Sequence, residues 1–290
     1  LFFTRAVVTR ALFVLVSLVG VWRVTWVKKD LTYWFLTFLF LPLVAEMMIT
    51  LKSRKGKDYR WFSPPIFLFL LSIIPSIWIL EDHHQQNKET EPLNTTFGNH
   101  TMLTSVCPND WILALHQIVL ILLIVGKWLL PLGGGVTREE LSQLLLIFVG
   151  TAADILEFVS ETMSDIKESS PQLVYIILAV WTWSMLQFPL HLAVVNSDQN
   201  DEDEDRLRVV FLLAKYSTDL FTIVEALFIH DGPFLLLRLT IITYYKVFHQ
   251  MLVFFAMKNF LVVILNMYRL VVICQDRPQS NRSENAVSVP

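Results

Sequence analysis

The amino-acid sequence predicts an all-α protein: a polytopic transmembrane helix bundle of about eight spans, with one further re-entrant or half-span segment. Composition is the first reason. Of 290 residues, 54% are hydrophobic and 17% charged, against about 45–50% and about 25% in ordinary soluble domains. The second reason is the gathering of apolar residues into runs of about 20, the length that crosses a bilayer's hydrocarbon core. The third is a physical necessity: backbone amides find no partner in lipid, so each run pairs its own as a helix. A formal net charge of −3 offers no basic surface to a nucleic acid.

The runs lie at 6–26, 31–51, 64–80, 111–131, 141–162, 172–195 and 209–230, followed by a continuous stretch at 233–273. Lys and Arg in the short loops set their orientation. The loop 52–60 carries Lys52, Arg54, Lys55, Lys57 and Arg60, which places it in the cytoplasm together with the N-terminus and its Arg5 and Arg10. The sequence starts at Leu1, so a short preceding piece is expected, and the first run, lacking a small-residue cleavage site, reads as a signal anchor. Arg23, Lys28 and Lys29 then fall outside, against the rule; beside Trp22 and Trp26 they read as interfacial anchors. The loop 81–110 falls outside with Lys88 as its one basic residue and carries two glycosylation sequons, at Asn94 and Asn99. Trp34, Trp61, Trp78, Trp111 and Trp128 sit near span ends, as an aromatic belt requires, whereas Trp181 and Trp183 are expected to pack between helices.

Gly133–Gly135, after Pro131, end the fourth span, and Thr137 with Glu140 three residues on forms a capping box that opens the fifth. No Gly-Lys-Ser/Thr follows, so the glycines make a turn and not a phosphate cradle. The outer loop 160–171 has only Lys167. The linker 196–207, with DQNDEDED at 198–205, lacks the glycine and spacing of a calcium loop and reads as a solvated cytoplasmic connection. The stretch 233–273 is about 60 Å long as a helix, and Tyr244, Tyr245, Lys246, His249 and Gln250 mark a polar break within it. Eight crossings leave the tail inside; nine leave it outside. Arg269, Arg277 and Arg282 favour eight. Residues 1–274 thus form the membrane domain and 275–290 a polar, disordered cytoplasmic tail. Cys107 and Cys274 read as unpaired thiols on opposite sides, and Cys274, beside the membrane, is a palmitoylation candidate.

Charges at membrane depth are costly and face the bundle interior or a water-filled cavity. Asp154, Glu157 and Glu161 share one face of the fifth span at i, i+3 and i+7, with Gly150 one turn before, where a neighbouring helix could approach closely. His116, Asp219, Glu225 and Arg238 fall at similar depth, so the expectation is an outer-half polar cluster of all seven, with Arg238 a candidate partner of Asp154 or Glu157. Such a cluster serves either structural ion pairing or a hydrated pathway. Glu46 and Lys127, both toward the cytoplasmic side, are a further candidate pair. No GxSxG, HExxH, Walker loop or dinucleotide fingerprint is present, His83, His84 and His100 have no ligand spacing, and nothing implies catalysis, a metal or a cofactor.

Longer strings carry a resemblance. SLVGVWRVTWVKK (17–29), RWFSPPIFLFLLSIIPSIWILE (60–81), GGGVTREELSQLLLIFVGTAADILEF (133–158), WTWSMLQFPL (181–190), DGPFLLLRL (231–239) and MLVFFAMKNFLVVIL (251–265) resemble the transmembrane protein 26 family across roughly residues 8–275. The outer loop and the acidic linker depart most from that pattern. The resemblance implies a vertebrate-type multi-pass membrane protein, usually drawn with eight spans, and brings no catalytic residues. ESSPQLVY (168–175) is similar to a short segment of XK-related lipid scramblases, which implies a polar track for lipid headgroups built partly by Asp154 and Glu157. The expected function is therefore that of a non-enzymatic membrane protein in contact with lipid, which moves an ion or small solute through its polar cluster. The alternatives are a phospholipid scramblase and a membrane scaffold. The expected location is the plasma membrane, reached by the secretory pathway, with both termini cytoplasmic.

Overall fold

The computed structural model describes residues 2–54, 62–90, 108–130, 138–166, 171–190 and 220–275. Among the described residues every regular element is helical, and Phe62 and Leu190 form an isolated antiparallel bridge. The elements are α1 (Phe2–Lys28), a 3₁₀ stretch (Leu31–Phe40), α2 (Leu41–Arg54), α3 (Pro64–Thr90), α4 (Pro108–Leu129), α5 (Arg138–Ile166), α6 (Pro171–Met185), α7 (Leu220–Thr243) and α8 (Gln250–Gln275). Among the described residues seven spans are long and apolar enough to cross a membrane, and α6 is a shorter apolar helix. The chain divides into two compact units, Leu1–His191 and Leu192–Pro290.

In the first unit α1 and α3 run parallel and close. Phe13 stacks on Phe69 at 4.6 Å, Ser17 and Ser72 share a hydrogen bond of 2.8 Å, and a Cβ on Gly20 would stand 2.8 Å from Ile73. Small residues at the contact bring two helices together where lipid gives no hydrophobic push. Helix α4 runs the other way: its Gly126 faces Phe13, and its Trp111 meets Arg23. Helix α6 also opposes α3, with Tyr175 on Asp82, Trp78 on Thr182 and Ser63 on Pro189. Phe148 of α5 stacks on Phe188 at 5.5 Å. The bundle therefore has a near end, where α1, α3 and α5 begin, and a far end, where they finish.

The 3₁₀ stretch has a local cause. Asp30 caps it, accepting from the Thr32 amide at 2.9 Å. At its other end Pro42 brings no N–H, and the Leu41 amide takes the Phe38 carbonyl three residues back. Helix α3 continues to Thr90, past the point where the sequence reads as loop. Side-chain bonds one turn apart, Gln86 to Asp82 at 2.9 Å and Asn87 with His83 at 3.2 Å, support that extension.

In the second unit α7 and α8 form a hairpin across 244–249, where Lys246 has φ 55. This is the polar break the sequence marks. The boundary expected at Asp231-Gly232-Pro233 is not there. Helix α7 runs through it because Ala226–His230 is a π-helix, in which the Asp231 amide reaches back to the Ala226 carbonyl. The wider turn absorbs the proline's missing donor. Gly232 is obligatory in it, since a Cβ there would collide with the Leu227 carbonyl. Leu252, Ala256 and Asn259 are the buried side of α8, while Phe234, Arg238 and Ile241 are buried on α7.

Candidate functional site: polar groups inside the first bundle

The near end is tightly paired. Arg10 of α1, 1% exposed, grips Glu46 of α2 with two bonds, Nε–Oε2 at 2.9 Å and Nη2–Oε1 at 2.8 Å. The Thr50 hydroxyl adds a bond to the same carboxylate at 2.7 Å, and Arg10 also donates to the Ala6 carbonyl at 3.3 Å. A bidentate fork of this kind offsets the cost of burying both charges. Glu46 therefore pairs with Arg10, not with Lys127 as its depth suggests. Arg10 stands at the same level on the adjacent span and matches the carboxylate with a planar fork.

Lys127 has a different task. Helix α6 stops at Met185, and a turn in which the Leu186, Gln187 and Phe188 amides take the Trp183, Ser184 and Met185 carbonyls carries the chain on to Leu190, leaving the carbonyls of the turn itself to be met from elsewhere. The Lys127 ammonium, fully buried, donates to the Phe188 carbonyl at 2.7 Å and the Leu190 carbonyl at 3.4 Å, and sits over the Phe148 ring at 4.8 Å. A cation suits the negative end of a helix. Irregular backbone inside a membrane is tolerated where protein surrounds it in this way.

The far end is built differently. Its rim is tied by Asp82, which accepts from Tyr175 of α6 and lies 3.8 Å from the Lys28 ammonium of α1. Behind that rim lie buried polar atoms with no hydrogen-bond partner among the described residues: Arg23 Nε on α1, Ser76 Oγ and Gln85 Oε1 on α3, Trp111 Nε1 on α4, Thr162 Oγ1 on α5 and Trp181 Nε1 on α6. Arg23 lies 5.1 Å from the Trp111 ring as a cation over its face. His116 is buried about 12 Å along α4, hydrogen-bonds to the Ile112 carbonyl at 2.9 Å and meets the Trp181 ring edge-on at 4.8 Å.

The residues singled out from the sequence are placed as follows. Asp154, Glu157 and Glu161 are half-buried along α5, toward the far end, and each makes contacts within the structure. His116 lies in the same half of the bundle. Glu225 and Arg238 belong to the second unit. There Arg238, 2% exposed, donates to the Phe255 carbonyl at 3.3 Å and sits 5.2 Å over the Phe255 ring. Asp219, the sequons at Asn94 and Asn99, and the cap at Thr137 lie outside the described residues. Cys274 is a free, exposed thiol in the last turn of α8. A Cβ on Gly150 would meet nothing within 4 Å among the described residues, so no helix of the first unit approaches closely there. Trp181 is fully buried as expected, but Trp183 is 51% exposed, because two residues along a helix turn a side chain to another face.

Arg23, Gln85, Trp111 and Thr162 were not singled out by sequence as a set. Arg23 and Trp111 read as interfacial anchors, and a lone Gln or Thr at a span end carries no signal.

No solved structure matches the chain. The family resemblance is upheld by a match to the transmembrane protein 26 family model over residues 1–269. The likeness of 168–175 to XK-related scramblases gains no support from it. With its bundle of apolar helices and a match spanning nearly its whole length, the chain belongs to the transmembrane protein 26 family.

Proposed function

We propose that this multi-pass membrane protein is a non-enzymatic transporter- or channel-like protein that admits an ion or small polar solute into the far half of its first bundle. One observation carries this reading: unpartnered buried polar atoms occur on five helices of the first bundle at its far end, while the near end is closed by bidentate and lysine–carbonyl bonds. A buried polar atom left without a partner costs about 1–3 kcal/mol. Atoms so placed require water or a hydrated guest. The acids Asp154, Glu157 and Glu161 on α5 give that half a negative side and favour a cation. In the orientation the loop charges favour, the far end faces outward at the plasma membrane, and the glycans on Asn94 and Asn99 lie on that side.

The test is flux in proteoliposomes of the full chain, with cation-sensitive dyes inside. Wild-type protein is expected to conduct or transport. Asp154→Asn is expected to fold and traffic normally while losing the flux. Normal flux in Asp154→Asn removes that acid from the pathway. Silence of the wild type toward ions, with movement of labelled lipid between leaflets, assigns a scramblase; silence in both assays, with a stable bound partner, assigns a scaffold.

A further inference from the structure

Where α1 meets the 3₁₀ stretch lies a pocket of about 490 Å³, lined by Trp22, Thr25, Trp26, Lys29, Asp30, Leu31 and Trp34. Its composition is unusual for a membrane-facing turn. Three tryptophans supply aromatic faces, and the Trp22 and Trp26 rings stand 6.1 Å apart at 36°. Both are unusually open for such large side chains, at 49% and 67% exposure. A base and an acid, Lys29 and Asp30, are consecutive in its lining. Lys29 adopts φ 52, a left-handed conformation that glycine normally fills at a helix end, so a lysine is retained there at a backbone cost. Asp30 is held below the ordinary carboxylate value by the Thr32 amide and hydroxyl, which favours its anion.

We infer that this pocket binds the phosphocholine headgroup of a membrane lipid, with the quaternary ammonium between Trp22, Trp26 and Trp34 beside Asp30 and the phosphate on Lys29. Each part follows from charge complementarity. A quaternary ammonium has no N–H to donate and is recognised by aromatic faces, tryptophan best, with a carboxylate near by. The phosphate of the same headgroup requires a cation a few ångströms away. Lysine serves phosphate as a point charge.

The surfaces leading out of the pocket indicate a lipid and not a free metabolite. Leu15, Leu18, Trp22 and Trp26 form one exposed stripe along α1, with spacings of 3 and 4 residues. On the 3₁₀ stretch Phe35 and Phe38 are exposed at 55% and 68% and eclipse one another at the three-residue period. Both stripes run away from the turn into the membrane-spanning part, where acyl chains attached to the headgroup must go. The turn lies between two spans, Thr4–Lys28 and Leu31–Ser53, at the level where interfacial tryptophans sit. The site uses none of the unpartnered polar atoms behind the far-end rim, so it stands or falls independently of the transport reading.

The experiment uses the purified full chain in a lipid-free detergent. The protein is incubated with phosphatidylcholine or with phosphatidylglycerol of identical acyl chains, and retained lipid is quantified by mass spectrometry after gel filtration. Phosphatidylcholine is expected to be retained about tenfold over phosphatidylglycerol. Asp30→Asn and Trp26→Ala are each expected to erase that preference, since both side chains are exposed and neither supports the core. Trp183→Ala, which removes a tryptophan 51% exposed on α6, leaves the preference in place. Equal retention of the two lipids overturns the proposal, as does a preference that survives both Asp30→Asn and Trp26→Ala. Displacement of the lipid by an equal concentration of soluble phosphocholine overturns the lipid assignment.

Discussion

The two ends of the first bundle handle buried polarity in opposite ways. At the near end charge meets charge: Arg10, Glu46 and Thr50 form a closed set, and Lys127 is spent on two carbonyls. At the far end the polar atoms outnumber their protein partners, on helix after helix. The same helices build both ends, so neither helix propensity nor overall apolarity explains the difference. It lies in which polar side chains the sequence places at each level.

That contrast can be broken most severely at the near end. Glu46→Leu leaves the Arg10 guanidinium buried without its carboxylate and is expected to cost about 3–5 kcal/mol. The loss is read as a drop in melting temperature and in the monodisperse fraction in detergent. Adding Arg10→Met is expected to recover most of it, and failure to recover would show that the pair does more than neutralise itself. Lys127→Met strands the Phe188 and Leu190 carbonyls, for about 2 kcal/mol. Gly126→Ala drives a methyl into Phe13, to 2.5 Å from its Cζ, and is expected to cost about 1–3 kcal/mol, relieved by Phe13→Leu.

The far end sharpens the comparison by responding in the opposite way. Thr162→Val and Gln85→Leu replace polar atoms that have no protein partner, so stability is expected to change by no more than about 0.5 kcal/mol in either direction. Flux in proteoliposomes is expected to fall in both. A loss of stability as large as at the near end would remove the distinction between the two ends. The smallest effect concerns Asp30. Its pKa is depressed, so its stabilisation of the Thr32 turn is complete above the ordinary carboxylate value near 3.8 and is lost as pH falls through the lower folded value. Titration of that carboxyl by NMR is expected to show a midpoint below 3.8.

Much of the fold was legible in the sequence, because lipid leaves the backbone few choices. Four of the helical spans, those at the runs 6–26, 31–51, 111–131 and 141–162, begin and end close to the apolar runs that predict them. The miss at Asp231-Gly232-Pro233 has a clear cause: glycine and proline together signal a break under α-helical pairing, but a π turn satisfies both. The candidate site was less legible. Asp154, Glu157 and Glu161 stand out as acids in an oily run. Gln85, Thr162 and Trp111 do not, since their importance lies in the lack of a partner, a property only packing defines. The Arg10–Glu46 pair was within reach. Arg10 lies 18 residues before Lys28, about 27 Å at α-helical rise. Glu46 lies 15 residues after Leu31, which is about 27 Å when the first ten are 3₁₀. The match appears only once the 3₁₀ stretch is known; a continuous α-helix would set the carboxylate about 5 Å nearer the far end.

The π turn in α7 also sets the direction in which its guanidinium faces. A π turn holds one residue more than the α turn it replaces, so every side chain beyond it is rotated by about 100° relative to an unbroken α-helix. Arg238 is buried against Phe255 only because of that added rotation. In effect the helix contains a fixed quarter-twist, locked by a residue without a side chain. An α turn at unchanged length would turn the buried arginine out of its hairpin, whereas deleting one residue, Phe228, would restore α pairing and leave the arginine facing Phe255.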